Sequence, residues 1–300
     1  MLKQLSASFY RIDDILLPEN TFLLIEESAK AILLSPWITG LKLRDRARES
    51  STSFLKALFK ISSEFQGCKA INVVEIVPLA GSLYYDMNGA FANVFSHQLQ
   101  MCFVGAKRYL KNGVWDTHMD YFNLEAMPDN PFILIGDTIA TGGTIVRLLE
   151  NILENLEKIR GVAIFTICGA LEGGKRLKTI EKKVREKKGE FYLVYANAAF
   201  GLAENGTDMP WLHKDTITID ILADEARNVY GELADKFCAV WDWGQRAKSP
   251  IAHLKEFLGI CNGYRDKAIK SGKNDTVNIL DVFINKTKKE IEKLYQVLTI

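Results

Sequence analysis

Residues 132–144, with the sequence FILIGDTIATGGT, constrain the fold and the function of this chain more than any other segment. The apolar run that stops at Gly136 predicts a buried strand. Apolar residues at steps of three and four after Gly143 predict an amphipathic helix. The start of a helix has backbone N–H groups without partners and the positive end of the helix dipole. The segment therefore predicts a turn that binds an anion of the size of a phosphate.

The residues around this turn narrow the chemistry expected of it. Asp137 comes directly before the turn and is placed to accept hydrogen bonds from sugar hydroxyls. Because no lysine follows the glycines and no G-x-G-x-x-G pattern occurs, a Walker A loop and a dinucleotide fingerprint are excluded. A tight turn capped by threonine, without a ligand, is the simpler alternative. The predicted phosphate-binding residues are Thr138, Ile139, Ala140, Thr141, Gly142, Gly143 and Thr144.

Short apolar runs alternate with helical patterns along most of the chain. Near-continuous apolar character is typical of strands that are buried on both faces of a parallel sheet. We interpret the charged residues 176–188 as the exposed face of a helix. The alternation predicts an α/β fold, a parallel sheet with helices on both faces, and a ligand site at the carboxyl ends of the strands. The predicted strands cover residues 71–77, 98–104, 132–135, 162–168, 191–196 and 216–219.

The composition limits the expected partners and location. The 38 basic and 37 acidic residues give a formal net charge of +1. There is no global basic field, so nucleic acid is not an expected partner. The longest uncharged run, residues 87–106, is too polar for a membrane span, and the N-terminus lacks the apolar core of a secretory signal. Five widely spaced cysteines without a C-x-x-C pair are typical of reduced core residues, so we expect a cytoplasmic protein.

The C-terminal part of the chain has a different character. Ser249 and Pro250 are typical of a helix start, with a cap residue followed by proline at the first helical position. Apolar residues recur at helical spacing from Val277 to Leu298. Residues 249–300 are therefore predicted to form a helical appendage that packs either on the core or on a partner.

Six further segments, in the same order along the chain, resemble the type I phosphoribosyltransferases, and most of all the uracil phosphoribosyltransferases. The turn itself is similar to the family signature of an apolar strand, acids and Thr-Gly-Gly-Thr. The closing segment DWGQR at residues 242–246 resembles the family's Asp-x-Gly-Asp-Arg. The other matching segments are LRDR at residues 43–46, VPLAG at 77–81, VGAKR at 104–108, ALEG at 170–173 and LAENG at 202–206 with Pro210.

The resemblance implies a reaction and a division of the chain. A base nitrogen would displace diphosphate from 5-phosphoribosyl 1-diphosphate, with uracil giving UMP as the first expectation. The phosphoribosyltransferase-like domain would span residues 43–248, with an insertion at about 212–240, after an N-terminal extension at 1–42. Mg²⁺ is expected to bind through the substrate, without protein metal ligands. The resemblance also implies a homodimer.

The resemblance assigns roles to individual residues. Asp137 would hold the ribose, and Arg108, helped by Lys107, would neutralise the leaving diphosphate, so Asp137 and Arg108 are the expected catalytic residues. Ala80 and Gly81 would bind 5-phosphoribosyl 1-diphosphate as well. The expected base-binding residues are Gly206, Thr207, Asp208, Met209, Pro210 and Asp242, of which Asp208 either contacts a polar base edge or caps a turn.

The chain departs from the family at positions that affect the substrate. The family has an arginine in the loop at residues 77–81, and neither Leu79 nor its neighbours match it. Gly136 stands at the position of the first acid of the signature, and Trp211 stands where the family has a glycine. We expect Trp211 to reshape or fill the base pocket, whereas Trp241 and Trp243 are interpreted as core residues. Two alternatives remain: a non-catalytic protein that binds the sugar diphosphate or a nucleotide and regulates a partner, and a transferase for a different base.

Overall fold

The computed structural model describes residues 1–111, 114–238 and 243–296, without the side chains of residues 107–108, 110–111 and 114–116. The strands are β1 (Leu2–Ser6), β2 (Phe9–Ile12), β3 (Thr21–Leu24), β4 (Val73–Leu79), β5 (Gln100–Lys111), β6 (Val114–Asn123), β7 (Phe132–Gly136), β8 (Gly161–Thr166), β9 (Gly169–Ala170), β10 (Glu190–Ala196), β11 (Ala198–Phe200) and β12 (Ile217–Thr218). The helices are α1 (Glu27–Leu34), α2 (Gly40–Ile61), α3 (Ser63–Gln66), α4 (Met87–Phe95), α5 (Gly143–Asn155), α6 (Leu171–Glu186), α7 (Asp220–Tyr230), α8 (Trp243–Lys248), α9 (Pro250–Lys270) and α10 (Asn274–Leu294).

Nine strands form one sheet in the order β1-β2-β3-β10-β8-β7-β4-β5-β6. The central run from β3 to β5 is parallel throughout, whereas β2 and β6 run antiparallel to their neighbours. A smaller sheet has the order β12-β11-β9. Parallel neighbours need crossover connections, which helices such as α5 and α6 supply. The predicted α/β fold with a mostly parallel sheet is confirmed.

Helices cover both faces of the main sheet, and each face has its own apolar core. On one face, Phe54 of α2 stacks on Phe165 of β8 with ring centroids 4.8 Å apart, and Phe91 of α4 joins the same core. On the other face, Leu149 of α5 and Leu177 of α6 are fully buried. Because the central strands are buried on both sides, their sequences are apolar at nearly every position. The predicted coverage of both faces is confirmed.

The elements predicted from the sequence coincide with observed ones at slightly different bounds. The predicted strands correspond to β4, β5, β7, β8, β10 and β12. The helix predicted after Gly143 is α5, and the helix predicted at Ser249 is α9, which begins with Pro250. Ser249 occupies the N-cap position and Pro250 follows it, as predicted, but the Ser249 side chain makes no capping hydrogen bond. The described residues contain no helix that is long and apolar enough to cross a membrane.

The N-terminal segment, residues 1–42, continues the main sheet. β3 pairs with β10 in parallel, with Thr21 opposite Leu193, and β2 and β1 extend the sheet outward. α1 then buries Ile32 and Leu33 in the core that α2 also contacts. These pairings make residues 1–42 part of the α/β unit, which the sequence pattern did not indicate.

Side chains from distant parts of the chain bind the carbonyl groups at the end of α1. Trp211 Nε1 and Tyr230 Oη donate to the Leu33 carbonyl at 3.3 and 3.0 Å. Arg246 is fully buried, and its guanidinium donates to further carbonyls in this region. They belong to Ile32, Ser35 and Ile38, at 2.8, 2.6 and 2.7 Å. Because the last carbonyls of a helix have no partner within it, these contacts fix α8 and α1 relative to each other.

The predicted helical appendage packs on the core of its own chain. Phe257 of α9 and Phe283 of α10 are buried, and the Phe283 ring lies 5.4 Å from the ring of Trp37. His253 Nε2 lies 2.8 Å from the Pro36 carbonyl oxygen. The appendage therefore covers the segment that follows α1.

A buried carboxyl group lies in β4 at some distance from the carboxyl end of the strand. Glu75 is 2% exposed, and its Oε2 atom has no hydrogen-bond partner among the described residues. Burial, together with the nearby Asp86 carboxylate, raises the pKa of Glu75 from its ordinary value of 4.5 to about 8. Glu75 therefore holds a proton in the folded protein at pH values where the unfolded chain has lost it.

This difference predicts that stability falls as the pH rises from about 4.5 to about 8. Glu75→Gln keeps the side-chain volume and is neutral at every pH, so it should remove this part of the slope. The gap in free energy of unfolding between variant and wild type should grow by roughly 4 kcal/mol across the window. Urea unfolding at a series of pH values measures both curves, and parallel curves would contradict the assignment.

Candidate functional site

The main cavity lies at the carboxyl ends of β4 and β7 and has a volume of about 500 Å³. Its walls come from the loop after β4, the turn between β7 and α5, the loop after β11, and the starts of α6 and α8. The lining residues are Pro78, Leu79, Gly81, Ala106, Thr117, Asp137, Thr138, Ile139, Ala140, Thr141, Gly142, Gly143, Thr144, Ile145, Arg176, Thr207, Asp208, Met209, Trp243 and Gly244. This position agrees with the ligand site predicted from the α/β pattern.

The predicted anion turn forms one wall of the cavity. Gly142 has a φ of +75°, a value that favours glycine, and precedes α5 without a side-chain cap. Val146 N donates to Gly142 O at 3.0 Å, and this is the first hydrogen bond of α5 between residues four apart. The N–H groups of Gly143, Thr144 and Ile145 precede that bond and have no partner within the helix. They are the donors that an anion at this turn would use.

Two residues of the predicted turn, Thr138 and Ile139, already use their N–H groups in hydrogen bonds within the protein. Ile139 N donates to Cys168 O at 3.2 Å, and Ala170 N donates to Ile139 O at 2.7 Å. Thr138 N donates to Asp137 Oδ1 at 2.9 Å. The backbone of Thr138 and Ile139 therefore holds the turn in place, and the candidate N–H donors to a phosphate lie further along, at the start of α5.

A close backbone contact joins this turn to α6. A Cβ atom at Gly142 would lie 2.8 Å from the Gly173 carbonyl oxygen, and one at Gly173 would lie 2.5 Å from the Ala140 carbonyl oxygen. Neither position has room for a side chain. The contact explains why ALEG, a matching segment of the sequence, has a glycine at the third position of a helix, where glycine is otherwise unfavourable.

Asp137 lies between the turn and the loop after β4. Its Oδ1 atom is 3.9 Å from the point that a Cβ atom of Gly81 would occupy. Tyr85 fills the space before Asp137, because a Cβ at Gly136 would lie 2.8 Å from the Tyr85 ring. This packing leaves no room for a side chain at Gly136. Burial and the Asp137 charge raise the pKa of Tyr85, which stays neutral.

The loop after β11 brings three predicted base-binding residues, Thr207, Asp208 and Met209, to the cavity. Asn205 organises this loop: its Oδ1 accepts from the N–H groups of Thr207 and Asp208, both at 3.0 Å. Its Nδ2 donates to Asp208 Oδ2 at 2.8 Å. Asp208 therefore takes part in the hydrogen bonds of this turn and also lines the cavity. Pro210 is buried next to Met209.

Among the described residues, Trp243 is the tryptophan that lines the cavity, so the expectation that Trp211 fills the base pocket is wrong; Trp241 lies outside the described residues. Trp211 is 1% exposed, its ring lies 5.3 Å from that of Phe200, and it is outside the described lining. Trp243 lines the cavity and donates from Nε1 to the Gly81 carbonyl at 2.9 Å. Its interpretation as a pure core residue is therefore incomplete, although it is only 4% exposed.

Arg176 is a cavity residue that the sequence interpretation missed. Arg176 is exposed, as predicted for residues 176–188, but its side chain also lines the cavity, which the sequence did not indicate. Its Nη1 atom is 3.8 Å from the point that a Cβ atom of Gly143 would occupy, and Thr141 Oγ1 is 4.0 Å from the same point. The only available signal was the pair Gly173-Gly174 at the start of the helix, which permits α6 to approach the turn.

Several predicted site residues have a less direct position. Gly206 and Ala80 belong to loops of the cavity, next to lining residues. The side chains of Lys107 and Arg108 lie outside the described residues, as does Asp242. The backbone of Arg108 pairs with that of Thr117, which lines the cavity and whose Oγ1 lies 3.4 Å from Thr144 Oγ1.

The fold and the cavity define a class: an α/β protein with a cavity at the carboxyl ends of a mostly parallel sheet, lined by the turn that precedes α5. No family model and no curated protein matches the sequence. Among solved structures, a protein from Aquifex aeolicus has 15% identity and a TM-score of 0.46, with 62% of this chain and 91% of that chain covered. The Trypanosoma brucei adenine phosphoribosyltransferase, crystallised with AMP, pyrophosphate and ribose-5-phosphate, has 14% identity and a TM-score of 0.40, with 71% and 96% covered. A Neisseria gonorrhoeae protein with bound ppGpp has 13% identity and a TM-score of 0.32, with 64% and 96% covered.

Proposed function

We propose that the protein transfers a phosphoribosyl group from 5-phosphoribosyl 1-diphosphate to a nucleobase and releases diphosphate. The observation that carries the proposal is the main cavity, which joins segments far apart in the chain. The anion turn, Asp137, the loop after β4 and the loop at residues 207–209 all line it. Each of these segments resembles the corresponding part of the type I phosphoribosyltransferases.

The sugar phosphate would occupy the side of the cavity next to α5. Backbone N–H groups at the start of the helix, with the hydroxyls of Thr141 and Thr144, would hold the 5′-phosphate. Asp137 would accept hydrogen bonds from the ribose hydroxyls and keep the ring from rotating. Fixing the sugar at two points presents its anomeric carbon to the base, and such positioning is a large part of the rate in bimolecular reactions.

The leaving diphosphate would lie towards β5 and the loop after β4. The transition state resembles an oxocarbenium ion, so charge builds up on the departing oxygen. Arg108 and Lys107 of β5 are the residues we assign to that charge from the sequence, since the fork of an arginine fits phosphate oxygens. Gly81 lines the cavity next to Trp243 and Asp137, which lie 3.2 and 3.9 Å from the point that a Cβ atom of Gly81 would occupy.

The donor set of the cavity fits a Mg²⁺ ion that arrives with the substrate. Among the described residues no group of three or more His, Cys, Asp or Glu side chains could hold a metal. Asp137 and Asp208 are the carboxylates of the described lining. Mg²⁺ usually keeps water and phosphate oxygens as ligands and takes one or two carboxylates. When bound through the substrate, it would offset charge on the diphosphate, while Asp137 keeps its role at the ribose hydroxyls.

The base would lie between Trp243 and the loop at residues 207–209. The indole supplies an aromatic wall, and the Asp208 carboxylate can only accept hydrogen bonds when ionised. Uracil is the base we propose first, because LAENG with Pro210 resembles the uracil-binding loop and the N3–H of uracil is a donor. The homodimer implied by the same resemblance also stays a prediction.

Turnover with a panel of nucleobases tests the proposal. The protein is incubated with 5-phosphoribosyl 1-diphosphate, Mg²⁺ and one base at a time, and the nucleoside monophosphate and diphosphate formed are measured. Uracil should give UMP. Asp137→Asn should lower kcat/KM by roughly 100-fold or more, since a preorganised charge next to the reacting sugar is lost. Glu154→Gln, an exposed carboxylate of α5, is the matched control and should leave turnover unchanged.

The outcome separates the alternatives. Product from a different base would keep the reaction and correct the substrate. Binding of 5-phosphoribosyl 1-diphosphate without product from any base would favour the regulatory protein, for which the apolar Leu79 at the diphosphate loop is a specific argument. Absence of both binding and turnover would contradict the proposal.

A further inference from the structure

We propose that Arg176 is a phosphate-binding residue, which adds a fixed positive charge to the anion turn and selects a phosphate ester dianion; this inference rests on the proposed function. Arg176 lies one turn into α6, and its guanidinium reaches over to the start of α5. Phosphate binding at a helix start needs only backbone N–H groups. A guanidinium at the same place adds charge and forked donors.

Hydrogen-bond donors from α6, the anion turn and the start of α5 converge on one point of the cavity. Arg176 Nη1 and Thr141 Oγ1 lie 3.8 and 4.0 Å from one point, the position of a Cβ atom on Gly143. Gly143 is the first residue of α5, so its own N–H belongs to the unpaired donors of the helix. A guanidinium, a hydroxyl and backbone N–H groups from two helices thus surround one small volume of the cavity. All three groups are hydrogen-bond donors, which suits the several oxygens of a phosphate.

The guanidinium of Arg176 also brings positive charge to the cavity. In the described part of the lining, Arg176 is the only cationic side chain. Arg185, in the last turn of α6, is by contrast used in ion pairs with Glu19 and Glu181, at 2.6 and 3.1 Å. Within the described residues Arg176 has no such carboxylate partner. A guanidinium that faces a cavity without a protein counter-ion is available to a ligand anion.

The packing of α6 against the anion turn places Arg176 at the cavity. The glycine contact between residues 142 and 173 brings the first turn of α6 against the anion turn, with 2.8 Å from the Gly142 Cβ position to the Gly173 carbonyl oxygen. Leu177, the residue after Arg176, is fully buried on the sheet side of α6. With Leu177 in the core, the helix presents Arg176 at the cavity edge, where its exposed side chain lines the cavity.

Isothermal titration with ribose 5-phosphate tests the inference. Arg176→Gln should weaken binding about 10- to 100-fold, the usual range for a charge-assisted contact, and Arg176→Lys should restore part of the loss. Because the second phosphate pKa is about 6, wild-type affinity should rise from pH 5 to pH 8, and this rise should be smaller in Arg176→Gln. Arg147→Gln removes the same charge from α5 outside the described lining and is the matched control.

The result distinguishes this inference from the proposed function. If wild type binds ribose 5-phosphate and Arg176→Gln binds it equally well, with the same pH dependence, the role of Arg176 is overturned and the proposed function stands. If Arg147→Gln weakens binding as much as Arg176→Gln, only general charge is involved, and the inference is again overturned. If wild type does not bind the sugar phosphate, the proposed function fails and this inference fails with it.

Discussion

Gly143→Val should abolish binding of ribose 5-phosphate and leave the unfolding temperature of the ligand-free protein unchanged. A Cβ atom at Gly143 has ordinary space around it, with Arg176 Nη1 at 3.8 Å as its nearest neighbour. The folded protein can therefore accept the side chain. The same space is the volume that the phosphate needs, so the valine takes the place of the ligand. We expect affinity to fall at least about 100-fold, which titration calorimetry measures directly.

Gly142→Ala is the informative comparison, because it acts on the same turn through the fold. Its Cβ would lie 2.8 Å from the Gly173 carbonyl oxygen, at a φ of +75°. It should lower the unfolding temperature, and for this reason substitutions at Gly142 cannot isolate binding. Undiminished binding of ribose 5-phosphate by Gly143→Val would contradict a phosphate position at the anion turn.

Arg246→Met should have the largest effect on stability. The Arg246 guanidinium is fully buried and donates to backbone carbonyls at the end of α1, including that of Ser35 at 2.6 Å. Burial lowers its pKa to about 10, so it remains charged at neutral pH. Methionine fills a similar volume but removes the guanidinium hydrogen bonds to the carbonyls of Ile32, Ser35 and Ile38. We expect a loss of roughly 3–5 kcal/mol in the free energy of unfolding, measured by urea denaturation.

A surface arginine provides the control for this substitution. Arg227 of α7 pairs with Asp224 three residues earlier, and both side chains are more than half exposed, at 58% and 67%. Arg227→Met should leave stability nearly unchanged, as is usual for exposed ion pairs. Because Arg246 and Trp243 share α8, Arg246→Met should also weaken ligand binding at temperatures where the variant is folded. Equal stability of the two methionine variants would contradict the anchoring role of Arg246.

The sequence predicts the parts of the site that depend on local order. The anion turn and Asp137 follow from a strand, small residues and a helix that are contiguous in the chain. The residues Thr207, Asp208 and Met209 follow from a resemblance carried by one short loop. The structure brings all of them to one cavity. Their roles in binding and catalysis stay predictions until ligands are tested.

The sequence does not predict the parts that depend on long-range packing. Arg176 reaches the cavity because two glycines thirty-one positions apart, Gly142 and Gly173, bring α6 against the turn. Trp243, rather than Trp211, reaches it because Arg246 ties α8 to α1 while Trp211 donates to the Leu33 carbonyl. Neither arrangement leaves a periodic pattern. The short strands β1 to β3 were missed because few residues carry their alternation.

The crystal structure of the protein with ribose 5-phosphate tests the central claim most directly. We expect a phosphate at the start of α5, with its oxygens about 3 Å from backbone N–H groups of residues 141–144 and from the Arg176 guanidinium, and with ribose hydroxyls bound to Asp137. A turn that stays empty at saturating ligand, or a phosphate held elsewhere on the protein, would contradict it.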